Sequence, residues 1–177
     1  KLKAENEKKL LEEKKINEGV NLLISILVCF PEFSTITFEP INDSLKIRAA
    51  LQPVPLEDDF LMFEEKLKSS ILTYHSLEKT KDIKLEINIK KYEELAFINI
   101  IRDIKTLSRT EIVLISSIIS NSFKEKLVCD KNDALQEEEI LLQEEVMENM
   151  LSIMKKNHFS TRLIGIREEG KVIVFNK

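Results

Sequence analysis

Three times along this chain a stretch with helical spacing is followed by two short runs in which apolar and polar residues alternate. Alternation with a period of two sends every second side chain to one face of a strand. Two such runs joined by turn residues make an antiparallel hairpin. The first pair is Ser34 to Glu39 and Leu45 to Leu51, around Pro40 to Ser44. In the second, Ile83, Leu85, Ile87 and Ile89 alternate with Lys84, Glu86, Asn88 and Lys90. Leu95 to Ile101 follows and is apolar on both faces, as suits a central strand. The third pair, Arg162 to Ile166 and Lys171 to Phe175, flanks Glu168-Glu169-Gly170 and is the clearest hairpin in the chain.

The segments between are helical. Lys1 to Lys15 is a Lys/Glu run with opposite charges four apart (Glu5 and Lys9, Lys8 and Glu12). It reads as an exposed helical extension or as the end of a coiled coil, although Leu2, Leu10 and Leu11 make no clean heptad. The same helix continues through Ile16, Val20, Leu23 and Leu27 until Pro31 stops it. Leu56, Phe60, Phe63, Leu67, Ile71 and Tyr74 mark a second amphipathic helix. Ser108, with Glu111 three residues on, forms a capping box for a third helix, predicted to run to about Leu127. Leu135 to Lys156 is the fourth, acidic at its start and ending on Lys155-Lys156, as the helix dipole favours.

The predicted class is therefore α+β: a mainly antiparallel sheet built from three β-hairpins that alternate with helices packed on it. Residues 1–107 and 108–177 are read as two units or as one continuous domain, with the polar stretch Asp130 to Asp133 the only boundary. In outline only, a charged helix leading into helix, hairpin, helix, hairpin resembles the ferredoxin-like modules of type IV pilus and type II secretion assembly platforms. The small acidic plan is also similar to type III secretion chaperones. No motif residue carries over from either, so the likeness is one of architecture.

Chemistry is constrained mainly by what is missing. The chain has three glycines, Gly19, Gly165 and Gly170, and none from 20 to 164. Phosphate-cradling loops and nucleophile elbows need glycine for close backbone approach, so no known motif of either kind fits that span. His75 and His158 lack partners at metal-binding spacing, and Asp130-Lys131-Asn132-Asp133 departs from a calcium loop at its sixth and twelfth positions. No cofactor is expected. The net charge of −4 gives no domain-wide footprint for nucleic acid. Cys29 and Cys129 are read as buried thiols, with one long-range disulfide as the alternative, and the chain as cytoplasmic rather than secreted. Asn42-Asp43-Ser44 fits the glycosylation pattern. The longest apolar stretch, Val20 to Phe30, is about half of the ~20 residues a bilayer needs. The first residue is not Met, which leaves room for an upstream segment.

Two features carry functional expectations. Leu142, Val146, Met147, Met150 and Met154 lie on the wide apolar face of the last helix, where methionines suit an adaptable surface for another protein or a second copy. The alternative is a core helix. The second feature is the basic C-terminal end. Two helices and a hairpin outline a winged helix, with Arg162, Arg167 and Lys171 near phosphates, although Glu144, Glu145 and Glu148 would repel a DNA backbone. The expected function is a non-enzymatic interaction or assembly module acting through apolar helix faces. A winged-helix nucleic-acid binder is the second reading, and an enzyme whose site is assembled only by the fold is the third.

Overall fold

A computed structural model describes residues 1–129 and 137–177. Among them the chain order is α1 (Leu2–Cys29), β1 (Thr35–Glu39), β2 (Ser44–Leu51), α2 (Glu57–Leu77), β3 (Leu85–Tyr92), β4 (Leu95–Asp103), α3 (Arg109–Phe123), α4 (Glu137–Lys156), β5 (Leu163–Glu168) and β6 (Lys171–Asn176). The polar break at Asp130 to Asp133 lies outside the described residues. All six strands form one antiparallel sheet, in the order β3-β4-β2-β1-β5-β6. The three predicted hairpins are present and zip together side by side. β4 pairs with β2, and β5 pairs with β1, so the C-terminal hairpin extends the sheet begun by the first.

Strand alternation decides where the core lies. Ile36 and Phe38 of β1, Leu45, Ile47, Ala49 and Leu51 of β2, Ala96, Ile98 and Ile100 of β4, and Leu163 of β5 share one face by register and are all buried. Against that face pack Leu22, Leu23, Ile26 and Leu27 of α1, Phe60, Phe63, Leu67 and Ile71 of α2, and Ile112, Ile115 and Ile119 of α3. Burying a large aliphatic or aromatic side chain contributes roughly 1.5–3 kcal/mol, so this face carries most of the fold's stability.

Two glycines let α1 lie close on the sheet. A Cβ on Gly19 would stand 2.6 Å from Leu163 Cδ1, and one on Gly165 would stand 2.9 Å from Leu27 Cδ1. The third, Gly170, takes φ 75° after Glu169 at φ 50°, the pair of left-handed residues that a tight hairpin turn requires. The first half of α1 stays out of the core, and residues 1–14 are exposed.

Some boundaries differ from expectation: β3 begins at Leu85 rather than Ile83, and the expected start of α4 at Leu135 lies outside the described residues. α3 ends at Phe123 rather than near Leu127. The following residues leave the helix to pair with the end of β2: Gln52 N–H donates to Lys126 O, Val128 N–H donates to Ala50 O, and Leu127 bridges Leu51. A last turn closes on Phe123 O, and beyond it sheet hydrogen bonds take over, a tertiary preference that local spacing does not reveal.

Candidate functional site

The stripe predicted on α4 divides between core and surface. Met147 and Met154 are fully buried, together with Leu151, where α4 packs along α1. Val146 and Met150 are half-buried, and Leu142 is exposed beside Leu141. Filling space in a core is what an unbranched thioether does well, and it removes these two methionines from the surface.

The three C-terminal cations are dispersed. Arg162 Nε donates to Glu39 Oε1 at 2.5 Å, tying β5 to β1. Arg167 turns to the covered side and donates to the carbonyls of Leu27 and Phe30, at the C-terminal end of α1 where carbonyls lack helical partners. Lys171 alone is exposed, at the start of β6. The hairpin is paired into a sheet along β1, and Arg162 and Arg167 are held by protein groups.

A convergent polar cluster lies inside the molecule. Arg102 at the end of β4 is fully buried on the covered face, under α2 and α3. Its Nε donates to Glu111 Oε2 at 2.6 Å and its Nη2 to Glu111 Oε1 at 2.7 Å, a bidentate pair. Arg102 Nη1 donates to Lys84 O at 2.8 Å and also meets Asp103. His75 of α2 joins through Nε2, which contacts both Glu111 Oε1 and Arg102 Nη2. Burial alone would raise the Asp103 carboxyl. Hydrogen bonds from Thr106 and from Lys84 N–H, with the Arg102 charge beside it, outweigh that and hold it below the usual carboxylate range. For Arg102, burial works against the charge, but Glu111 and Asp103 reverse it and raise its pKa.

This cluster corrects the reading of Glu111. Ser108 does cap α3, accepting from Glu111 N–H at 3.2 Å. The Glu111 carboxylate, however, turns away from the cap to Arg102. With Arg102 and Glu111 at 0% exposure and His75 at 3%, the cluster is sealed from solvent and acts as an internal brace.

The opposite face of the sheet is different. No described helix covers it, and its outward residues stay out of the main core cluster, with Ala50, Thr37 and Asn99 buried among their strand neighbours. Register gives two rows across it: Asn88, Asn99, Arg48, Thr35, Ile166, Ile173, and Glu86, Ile101, Lys46, Thr37, Ile164, Phe175. One half, on β3, β4 and β2, is polar and basic. The other, on β5 and β6, is aliphatic, with Ile173 44% and Phe175 40% exposed. Arg48 Nε donates to Asn99 Oδ1 at 2.8 Å, and Asn99 Nδ2 donates to Asn88 Oδ1 at 3.0 Å. The Arg48 guanidinium lies 4.9 Å over the Phe97 ring. Lys46 is pushed below its ordinary pKa, first by burial and then by Arg48 and Lys90.

Sequence reasoning missed this face, although one signal was present. In the third hairpin both phases are apolar: Leu163 against Ile164 and Ile166, and Val172 and Val174 against Ile173 and Phe175. A hairpin apolar in both phases needs cover on both faces, and only one is covered here.

Of the cysteines, Cys29 lies near Ile140 O, and burial followed by the Glu144 charge raises its thiol to about 11. Cys129 contacts Pro31 O at 3.4 Å, and no disulfide joins the two. Among the described residues no group of three or more His, Cys, Asp or Glu side chains is placed to hold a metal ion. No helix among them is long and apolar enough to cross a membrane. No family model, curated protein or solved structure matches this chain.

Proposed function

We propose that this protein is a non-enzymatic interaction module that docks another protein on the open face of its sheet. The observation that carries this reading is the sidedness of the sheet. The described helices pack on one face, while Ile164, Ile166, Ile173 and Phe175 form an apolar patch on the other. A contiguous exposed apolar patch rimmed by charge is a common mark of a protein-contact surface. The docking surface is thus the sheet rather than the apolar helix face suggested by spacing, because Met147 and Met154 are occupied in the core.

The test compares two surfaces on the same protein. Tagged wild type, an Ile173→Asp/Phe175→Asp double variant and a Leu141→Asp/Leu142→Asp double variant are used to capture partners from native lysate after nuclease treatment. The expected result is that the β6 variant loses a stoichiometric partner at an unchanged melting temperature, while the α4 variant keeps it. Loss with the α4 variant alone would return the interface to the helix face.

A further inference from the structure

We infer that the occupant of the open face is an acidic amphipathic helix of another protein, lying along β1. This rests on the docking role proposed for that face and specifies its partner. Lys46, Arg48 and Lys90 are clustered on the outward side of β2 and β3, and none of them forms an ion pair with a described residue; on the same face Glu39 is held by Arg162 and Glu86 lies on the edge strand β3. They are concentrated on a chain whose net charge is −4. Arg48 is already oriented: its Nε is anchored on Asn99 and its plane rests over Phe97, leaving the Nη groups of its fork without a described protein partner. An oriented guanidinium with open N–H groups matches a carboxylate, which can accept two of them.

The spacing of the face suits a helix. Between the basic strand β2 and the aliphatic strand β5 runs β1, whose outward residues are the short Thr35 and Thr37 and, at its end, Glu39, which Arg162 neutralises. Strands two places apart stand roughly 10 Å from each other. An α-helix with its side chains is about 10–12 Å across. A helix laid along β1 therefore places one flank against Ile164 and Ile166 and the other against Lys46 and Arg48. Its apolar stripe meets the aliphatic half, and carboxylates beside that stripe reach the cations. Positive charge facing negative charge sets the orientation and raises the encounter rate.

Single-stranded nucleic acid suits the face less well. Such binding relies on aromatic rings on which bases stack. Here Phe97 is covered by Arg48, and Tyr92 and Phe175 lie on the two edge strands, β3 and β6.

The experiment is a titration of isotope-labelled protein with three probes: a synthetic amphipathic Glu/Leu helix, its Lys/Leu counterpart and an oligothymidylate. The expected result is that only the Glu/Leu peptide shifts the amides of β1, β2 and β5, with affinity falling as salt rises. A Lys46→Glu/Lys90→Glu variant, its fold verified by circular dichroism, should bind that peptide at least about tenfold more weakly. Equal binding of the Lys/Leu peptide would overturn the acidic partner and leave the docking face standing. Oligothymidylate shifting the same amides would overturn it in favour of nucleic acid. Concentration-dependent shifts at β1 and β5 without any probe would overturn it in favour of a second copy of this chain. If no probe binds while the Ile173→Asp/Phe175→Asp variant still loses its captured partner, the acidic helix fails alone. If no probe binds and that variant captures as wild type does, both proposals fail.

Discussion

On the covered face Arg102 meets Glu111 at 2.6 Å with both side chains fully buried, whereas Lys46 and Arg48, on the neighbouring strand but facing the other way, form no ion pair with a described residue. Both sets of cations belong to the same sheet. Where helices exclude water, a charge survives only if its partner comes with it, because unpaired burial costs several kcal/mol. Where water remains, a cation can stay without a partner, and its position can serve something other than the fold. The comparison thus separates charge that holds the molecule together from charge that it presents.

The sharpest way to break that distinction is to remove one partner on each side. Glu111→Ala leaves the Arg102 guanidinium buried and uncompensated, and it should lower unfolding free energy by about 3–5 kcal/mol. Glu111→Gln, which retains hydrogen bonding without the charge, should cost less. Urea titration followed by circular dichroism gives both values. A loss for Glu111→Ala of under about 1 kcal/mol, the level of an ordinary substitution, would show that the cluster is not the brace described here.

A smaller effect should come from pH. Asp103 has its carboxyl held below the ordinary 3.8 in the folded protein. A group with a depressed folded pKa contributes stability above its unfolded pKa and loses it as pH falls through the folded value. Acidification below about pH 4 should therefore destabilise the wild type, and Asp103→Asn should flatten that part of the curve while lowering stability at pH 7. Melting temperatures across a pH series measure the slope. An unchanged slope in the variant would remove Asp103 from the acid response.

Most of the architecture was legible because it follows from period. Alternation in Leu45 to Leu51 and in Ile83 to Ile89 announced strands, and the spacing of Phe60, Phe63, Leu67 and Ile71 announced α2. Strand order was not legible, because β1 beside β5 is a long-range pairing that no local pattern encodes. The buried cluster escaped for a related reason. Glu111 fits a capping box locally, and Arg102 merely ends an apolar run, so only the packing of α3 over β4 shows that they belong together. On α4 the spacing showed an apolar stripe but not which part another helix would cover, and α1 covers Met147 and Met154. The open face was the least legible. Single outward residues such as Lys46 and Phe175 look like ordinary solvated positions until register sets them in rows across a bare sheet.

The smallest predicted effect sharpens the comparison most. Lys46 has a depressed pKa, caused by burial first and then by Arg48 and Lys90. For a lysine, depression means that the folded state disfavours the charge. Removing it should therefore not cost stability in the way that removing Glu111 does. Lys46→Met keeps the apolar stem and drops the ammonium, and it should leave unfolding free energy within about 0.5 kcal/mol of wild type, shifting if at all toward greater stability. Any gain should be larger at low salt, where repulsion from Arg48 and Lys90 is less screened. Denaturant titrations at two ionic strengths would show this, and a clear loss of stability would mean that Lys46 belongs to the fold after all. A cation that the folded state tolerates rather than needs fits a trade of stability for function, which places it with the surface offered to a partner rather than with the brace beneath.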